Sequence, residues 1–344
     1  MNDTQIFKRQ QVILNFLSKT PVARSEIERK IQDQYPVAKL TVIRDLKVLT
    51  DQGKIKTQGV GKSTTYISLQ NPLEKFIDLH RYFSQNSTLR TGVKTSFDFG
   101  VFNYLNSLDG LEIKLLKLSV QEKKLDPTIF KREIERFTVE FSWKSSRIEG
   151  NTYSLSETDI LIRQMKEAEG HPREEAVMIL NHKEAIDYIL KNRAEFQKLT
   201  MDKVLKLHEL LVQDLGISVT IRNNPVAITG TRYLPLFERD SIIKALEQTV
   251  ELVNKVKSPL LKAFIASFMI AYIQPFSDGN KRTGRVLTNA ILIAYDLYPI
   301  SYRDVKEIDY LEAMLLFYEQ NNLYHLKQMF LEQLEFSQEN YFRI

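Results

Sequence analysis

At 344 residues, with 43% hydrophobic and 26% charged side chains, the chain has enough apolar material for one large globular domain or two smaller ones. It contains no cysteine, which excludes disulfides and thiolate chemistry and fits a reducing, cytoplasmic setting. No apolar run reaches the ~20 residues of a membrane span, MNDTQIFKRQ lacks the apolar stretch of a secretory signal, and no membrane partner is expected.

Charge is unevenly placed. Residues 1–70 hold 12 Lys and Arg against 6 Asp and Glu, while the remainder holds 36 against 37. A basic module ahead of a near-neutral body predicts a polyanion partner at the N-terminal end. The five histidines, His80, His171, His182, His208 and His325, have no metal-ligand spacing, so no zinc site is expected.

In chain order, IFKRQQVILNFL (6–17) places apolar side chains at helical spacing. Ser25 and Glu28 form a capping-box pattern that would open a second short helix, RSEIERKIQDQ. A third helix is expected over LTVIRDLKVLTDQG, with Val42, Leu46 and Leu49 inward and Gly53 as its C-terminal cap. Two strand-like pieces, KIKTQ and TTYISL, follow around Gly59, Val60 and Gly61. This order resembles a winged helix-turn-helix of the DeoR-like type. The resemblance implies a third helix in the major groove of DNA, with Lys39, Thr41, Arg44 and Lys47 near the bases. Lys54, Lys56 and Lys62 would lie by the phosphates. A solvated helix face and a protein-docking module are the competing readings. Gly61, Lys62 and Ser63 imitate the end of a Walker A loop, but position 56 is Lys56 where a glycine is required, and no helix is expected to follow.

Residues 71–130 read as a connector with helical pieces, NPLEKFIDLHRYF and LNSLDGLEIKLLKL, around a polar loop, SQNSTLRTGVKTSFDFG. From about residue 128 onward the pattern is almost wholly helical. The exception is ISVTIRNNPVAITGTRYLPL (217–236), whose β-branched residues and Asn-Asn and Gly-Thr turns predict a short hairpin.

PLLKAFIASFMIAYI (259–273) is apolar nearly all round and predicts a buried helix, and GRVLTNAILIAYDL (284–297) predicts another. Between them the chain must turn at Gly279 and begin again, with Asp278 or Asn280 as the cap. Lys281, Arg282 and Arg285 then fall near a helix start, where the macrodipole disfavours each cation by about 0.3–1 kcal/mol. An anion would complete the arrangement, because exposed N–H groups at a helix start already form an anion nest. Asp278 adds a carboxylate suited to holding Mg2+ against phosphates. The competing reading is a capped turn with solvated basic residues.

QPFSDGNKRTGR (274–285) resembles the Fic motif, H-x-F-x-[D/E]-G-N-[G/K]-R-x-x-R, at every defining position but the first. The resemblance implies a mainly α fold, a helical Fic core with a short β-hairpin flap behind a winged helix-turn-helix. It implies transfer of AMP from ATP to a Ser, Thr or Tyr hydroxyl of a target protein. Asp278 would bind Mg2+, Gly279, Asn280 and Lys281 would form the anion hole, and Arg282 and Arg285 would contact the β- and γ-phosphates. Phe276 would anchor the loop. VAITGTRYLPL (226–236) resembles the Fic flap, which places Ile228, Thr229 and Gly230 against the target peptide. His208, in LKLHELL, matches the helix before the flap as a structural residue. In WKSSRIEGNTYSL (143–155), Ser145, Glu149 and Gly150 resemble the inhibitory motif [S/T]-x-x-x-E-[G/N]. Glu149 would then pair with Arg285 and keep the γ-phosphate from its productive place. The division implied is 1–70 winged helix-turn-helix, 71–130 connector and 131–340 Fic domain, with the inhibitory helix near 140–150. A second copy of the chain joins ATP, a target protein and DNA as an expected partner.

The departure is Gln274, where the family has the histidine that acts as general base. An amide hydrogen-bonds but takes no proton near neutral pH, and general-base catalysis is worth about 10²–10⁴-fold. Nucleotide binding is expected to survive and AMP transfer to be impaired. Two alternatives follow. One is a DNA-binding regulator whose body only binds nucleotide. The other is phosphotransfer of the Doc type, suggested by Lys281 and opposed by Gly279.

Overall fold

The structure, a computed structural model, describes residues 3–18, 20–105 and 126–342. Beyond Leu105, the expected helical piece LNSLDGLEIKLLKL lies outside the described residues, as does the side chain of Lys62. The chain divides into two compact units, Met1–Asp78 with Asn322–Tyr324, and Leu79–Asn321 with His325–Ile344.

The first unit runs α1 (Asp3–Phe16), β1 (Val22–Ala23), α2 (Arg24–Gln32), α3 (Lys39–Asp51), β2 (Ile55–Gln58) and β3 (Thr65–Ser68). The strands form an antiparallel sheet in the order β1-β3-β2, with Val22 opposite Tyr66 and Ile55 opposite Ser68. Val42, Leu46 and Leu49 of α3 are buried with Ile13, Ile27 and Ile31 of α1 and α2. An ion pair lies inside this unit, Arg9 Nε to Asp45 Oδ2 at 2.5 Å. Gly53 ends α3 with φ +68°, Lys54 N–H reaching back to Leu49 C=O and Gly53 N–H to Thr50 C=O. That is the Schellman pattern, and it places the chain to turn into β2. The capping box at Ser25 does not form. The helix begins earlier, after Ala23, with no side-chain cap, and Glu28 pairs with Arg24 at 3.3 Å. The strand β1 runs directly into α2, so Ser25 is already inside the helix.

The second unit is helical: α4 (Leu79–Phe83), α5 (Val101–Leu105), α6 (Pro127–Ile148), α7 (Leu155–Gln164), α8 (Arg173–Lys191), α9 (Met201–Val212), α10 (Arg239–Lys255), α11 (Pro259–Ile273), α12 (Asn280–Ala294), α13 (Glu307–Gln320) and α14 (Tyr324–Asn340). Pro127 at the first position and the Asp126 side chain, accepting from Thr128 and Ile129 N–H, start α6. Helices α11 and α12 form the buried centre, and α12 is buried almost throughout. They approach closely at Gly284, where a Cβ would stand 2.9 Å from Ser267 O. Gly284→Ala is expected to cost about 1–3 kcal/mol through overpacking. Thermal melts read it as a fall of roughly 2–4 °C per kcal/mol.

The expected hairpin at 217–236 is not a β-ladder. Among the described residues this stretch carries a turn at Thr229–Gly230 and one isolated bridge, parallel, from Leu234 to Ser96. Its limbs are tied instead by Arg222, whose guanidinium donates to Asn224 O at 2.6 Å, to Leu236 O and to Gln274 O at 2.7 Å. No helix among the described residues is long and apolar enough to cross a membrane.

Candidate functional site

Helix α11 ends at Gln274, in the left-handed region with φ 52°. Its amide turns inward. Nε2 donates to Ala271 O at 2.8 Å, and Oε1 accepts from Asn280 Nδ2 at 2.7 Å. Asn280 also staples the loop, accepting from Phe276 N–H and donating to Phe276 C=O, both at 2.9 Å. The Phe276 ring is buried and stacks on His208 at 3.5 Å and 3°. Burial holds His208 neutral, pushing its pKa down to about 4 against the upward pull of its bond to Ser218 O.

Gly279 has φ +77°, and a Cβ there would lie 3.2 Å from Val212 Cγ1, so both backbone and space call for glycine. Helix α12 starts without a side-chain cap. Asp278 Oδ1 accepts from Gly279 N–H at 2.6 Å and Asn280 faces the loop, so neither fills the expected capping role. The first N–H groups of the helix keep no intrahelical partner, which leaves the anion nest open.

The cations are set at different depths. Lys281 is half-buried and its Nζ lies 3.0 Å from Glu149 Oε2. Arg282 is 2% exposed and contacts the exposed Asp278 carboxylate at 3.2 Å, while its Nη1 has no partner. Burial lowers its pKa, partly offset by Asp278 and Glu149. Arg285 is 0% exposed. Its Nε donates to Ser145 Oγ at 2.9 Å, its Nη2 to Ser145 O at 2.8 Å and to Glu149 Oε1 at 2.9 Å, and its Nη1 is likewise unpartnered. The guanidinium carbon sits 5.3 Å from the Tyr310 ring centre. Burial opposes the Arg285 charge, but Tyr310 and Glu149 outweigh it and the pKa rises. For Glu149, at the end of α6, burial works toward protonation, and Arg285 and Lys281 overcome it, holding the pKa at about 2.

Ser145 is itself held. His182 Nε2 lies 2.8 Å from Ser145 Oγ, and His182 Nδ1 lies 2.8 Å from Met178 O. A carbonyl only accepts, so Nδ1 carries the proton and Nε2 receives the serine hydroxyl, whose oxygen then accepts from Arg285. Burial keeps His182 neutral, its pKa pushed down to about 3.

One cavity of about 420 Å³ gathers these parts. It is lined by Glu149, Val226 to Thr229, Gln274, Ser277 to Lys281, and Leu311, Met314, Leu315 and Tyr318 of α13. Of the residues singled out from the sequence, Gln274, Asp278, Gly279, Asn280, Lys281, Glu149, Ile228 and Thr229 line it. Arg282, Arg285 and Ser145 are buried beside them, Gly150 follows the end of α6, and Gly230 sits at the turn beyond the lining. Lys39, Arg44 and Lys47 are exposed on α3 of the first unit, with Thr41 half-buried. His182, Arg222 and Tyr318 were not foreseen. No motif marks them, and only their buried polar chemistry on apolar faces could have drawn notice.

Residues 198–292 match the profile of the Fic/DOC family. The chain carries a Fic/DOC-family domain. The Fic match spans α9 to α12, including residues 217–236 and the loop from Gln274 to Arg285. A protein adenylyltransferase Fic from Nematostella vectensis is 28% identical over 198 residues, 54% of this chain and 44% of that protein. The fic-1 adenylyltransferase of Caenorhabditis elegans is 23% identical over 159 residues, 44% of this chain and 31% of that one. The chain thus spans less than half the length of these curated relatives. In structure it is similar to C. elegans Fic-1, with a TM-score of 0.54 at 15% identity, covering 92% of this chain and 80% of the other. A Fic-domain signalling protein from Bacteroides thetaiotaomicron gives 0.55 at 22%, covering 70% and 94%. At these identities the likeness is one of fold.

Proposed function

We propose that the chain is a Fic-type protein adenylyltransferase scaffold, restrained by Glu149 and impaired at Gln274. The observation that carries this reading is the pair of buried guanidinium groups at the start of α12. Arg282 and Arg285 each keep an unpartnered Nη1, and Glu149 is clamped between Arg285 and Lys281. A carboxylate already occupies the place where a terminal phosphate would sit. The relatives' name, protein adenylyltransferase, supports ATP as the nucleotide and a protein as the acceptor.

In this reading ATP lies with its phosphates over Gly279 to Lys281, and Arg282 and Arg285 contact the β- and γ-phosphates. The Asp278 carboxylate, exposed and at the rim of the nest, fits a Mg2+ site completed by phosphate oxygens, because Mg2+ is commonly held by one or two carboxylates plus substrate phosphates. The metal would supply charge neutralisation there. Ile228, Thr229 and Gly230 would align the target segment. The target oxygen bonds to the α-phosphorus, the bond from that phosphorus to the bridging oxygen breaks, and pyrophosphate leaves. The hydroxyl proton needs an acceptor, and the Gln274 amide, already bonded to Ala271 and Asn280, offers none. Transfer of label from α-labelled ATP to protein by Gln274→His/Glu149→Gly tests the reading.

A second reading rests on the first unit. We propose residues 1–70 as a winged helix-turn-helix, 71–130 as a connector and 131–340 as the Fic body. Three helices, a three-stranded sheet and the exposed Lys39, Arg44 and Lys47 on α3 support DNA binding by the first part. Arg44→Ala is expected to weaken binding to genomic fragments and to reduce the salt dependence by about one counterion. Mobility shifts across a salt series measure this. A native protein that binds no fragment at low salt would count against DNA and favour protein docking.

A further inference from the structure

Beyond the motif residues, one polar group in the cavity wall is left without work by the fold. Tyr318, on α13, lines the cavity, is 2% exposed, and its hydroxyl has no hydrogen-bond partner. Its ring is fully used. It stacks on Tyr233 at 5.5 Å and on Tyr272 at 6.2 Å. The two neighbouring phenols are satisfied: Tyr233 donates to Tyr272 O at 2.8 Å, and Tyr272 accepts from Asn321 Nδ2 at 2.9 Å and from Asp98 N–H at 3.0 Å. Of the three stacked tyrosines, Tyr318 alone lines the cavity and has a hydroxyl without a full hydrogen bond.

The Tyr318 hydroxyl also lies at the chemically important corner. The Gln274 amide is beside it, near enough to pull its pKa down as a hydrogen-bonding neighbour does but short of a full hydrogen bond, and Glu149 and Arg285 are among its charged neighbours. Burial raises its pKa well above the ordinary phenol value, so it stays protonated at neutral pH. A buried neutral phenol that has lost water and gained no partner is a donor awaiting an acceptor.

We infer that Tyr318 is a ligand-contacting residue whose hydroxyl donates to a phosphate oxygen of the nucleotide, next to Gln274. The inference rests on the nucleotide reading of this cavity and adds a residue that the loop motif does not contain. The contact is a neutral donor alongside the cations, placed on α13 rather than on the loop. It removes no proton, so it holds the nucleotide without restoring the missing base.

Two readouts with opposite signs test this. Tyr318→Phe deletes only the hydroxyl and keeps the stacked ring. Without nucleotide, the variant is expected to melt at the same temperature as the native protein or higher, because an unpaired buried group is gone. Its affinity for Mg2+ and a non-hydrolysable ATP analogue is expected to fall about tenfold or more, the weight of a hydrogen bond to a charged acceptor. Tyr233→Phe is the control within the stack. It removes a paired hydroxyl and is expected to lower the melting temperature while leaving affinity unchanged. An unchanged affinity in Tyr318→Phe, with the native protein binding the analogue, overturns the Tyr318 assignment alone. A melting temperature that falls as in Tyr233→Phe, with affinity unchanged, also overturns it, by giving the hydroxyl a structural role. If neither the native protein nor Glu149→Gly binds the analogue, the nucleotide reading fails and takes this inference with it.

Discussion

Incubated with α-labelled ATP and Mg2+, the Gln274→His/Glu149→Gly protein is expected to transfer label to protein about 10²–10⁴-fold faster than the native chain, the range general-base catalysis supplies. Each change acts on a separate obstacle. A histidine at position 274 would keep the left-handed backbone end of α11 and place an imidazole where the amide now bonds Asn280. Removing the Glu149 carboxylate frees Arg285 Nη2 and Lys281 Nζ, the two groups it holds at 2.9 and 3.0 Å. Gln274→His alone is expected to label weakly, because Arg285 stays engaged. Glu149→Gly alone is expected to bind ATP more tightly without labelling, because no base is present. A double variant that is folded, binds ATP and transfers no label would falsify the adenylyltransferase reading and leave nucleotide sensing in its place.

The second large effect is on stability. Glu149 has its folded pKa depressed from 4.5 to about 2, so its ion pairs contribute fully above pH 4.5 and are lost as pH falls toward 2. The size of the shift corresponds to roughly 3 kcal/mol at neutral pH. His182 and His208, depressed from 6.5 to about 3 and about 4, add a separate acid liability. Below pH 6.5 the unfolded chain takes up protons that these buried rings refuse, and the folded state weakens. Urea unfolding from pH 7 to pH 3 is therefore expected to show a steady loss from about pH 6.5, steepening below 4.5. Glu149→Gln is expected to be about 3 kcal/mol less stable at pH 7 and to lose the steepening while keeping the histidine slope. Saturating ATP and Mg2+ should return more stability to this variant than to the native protein, since a phosphate can then neutralise Arg285. Equal midpoints for the two proteins at pH 7 would mean that the ion pair contributes nothing.

The site was more legible than the elements around it, and the reason is chemical. Gln274 to Arg285 combine a turn glycine, a carboxylate and three cations at a helix start, identities that an anion reconciles better than a solvated turn does. The apolar stretch 259–273 carries its burial in its composition, and α11 is buried along its length. Gly53 was legible because a left-handed helix end favours one residue type. The hairpin at 217–236 misled because β-branched residues record a preference for extended backbone, not a partner. The extended limb at Leu234 pairs with Ser96, more than a hundred positions away, and the turn is tied by one arginine side chain. Ser25 misled for a different reason. The capping pattern is local, whereas the start of α2 follows from the pairing of Val22 with Tyr66. His182 and Tyr318 left no trace because each occupies an ordinary position on an amphipathic helix. Their importance comes from what stands opposite them in space.

Arg285 is wholly enclosed and bonded to Ser145 and Glu149, and on the proposed nucleotide reading a phosphate would take the place of the Glu149 carboxylate. Because one anion would then be exchanged for another, the proposed restraint would be kinetic as well as thermodynamic. On that reading an arriving nucleotide would wait for the end of α6 to lift before its last phosphate could reach the guanidinium. Binding traces should accordingly resolve into a fast concentration-dependent phase and a slower phase that saturates, with the slow phase absent once position 149 carries no side chain.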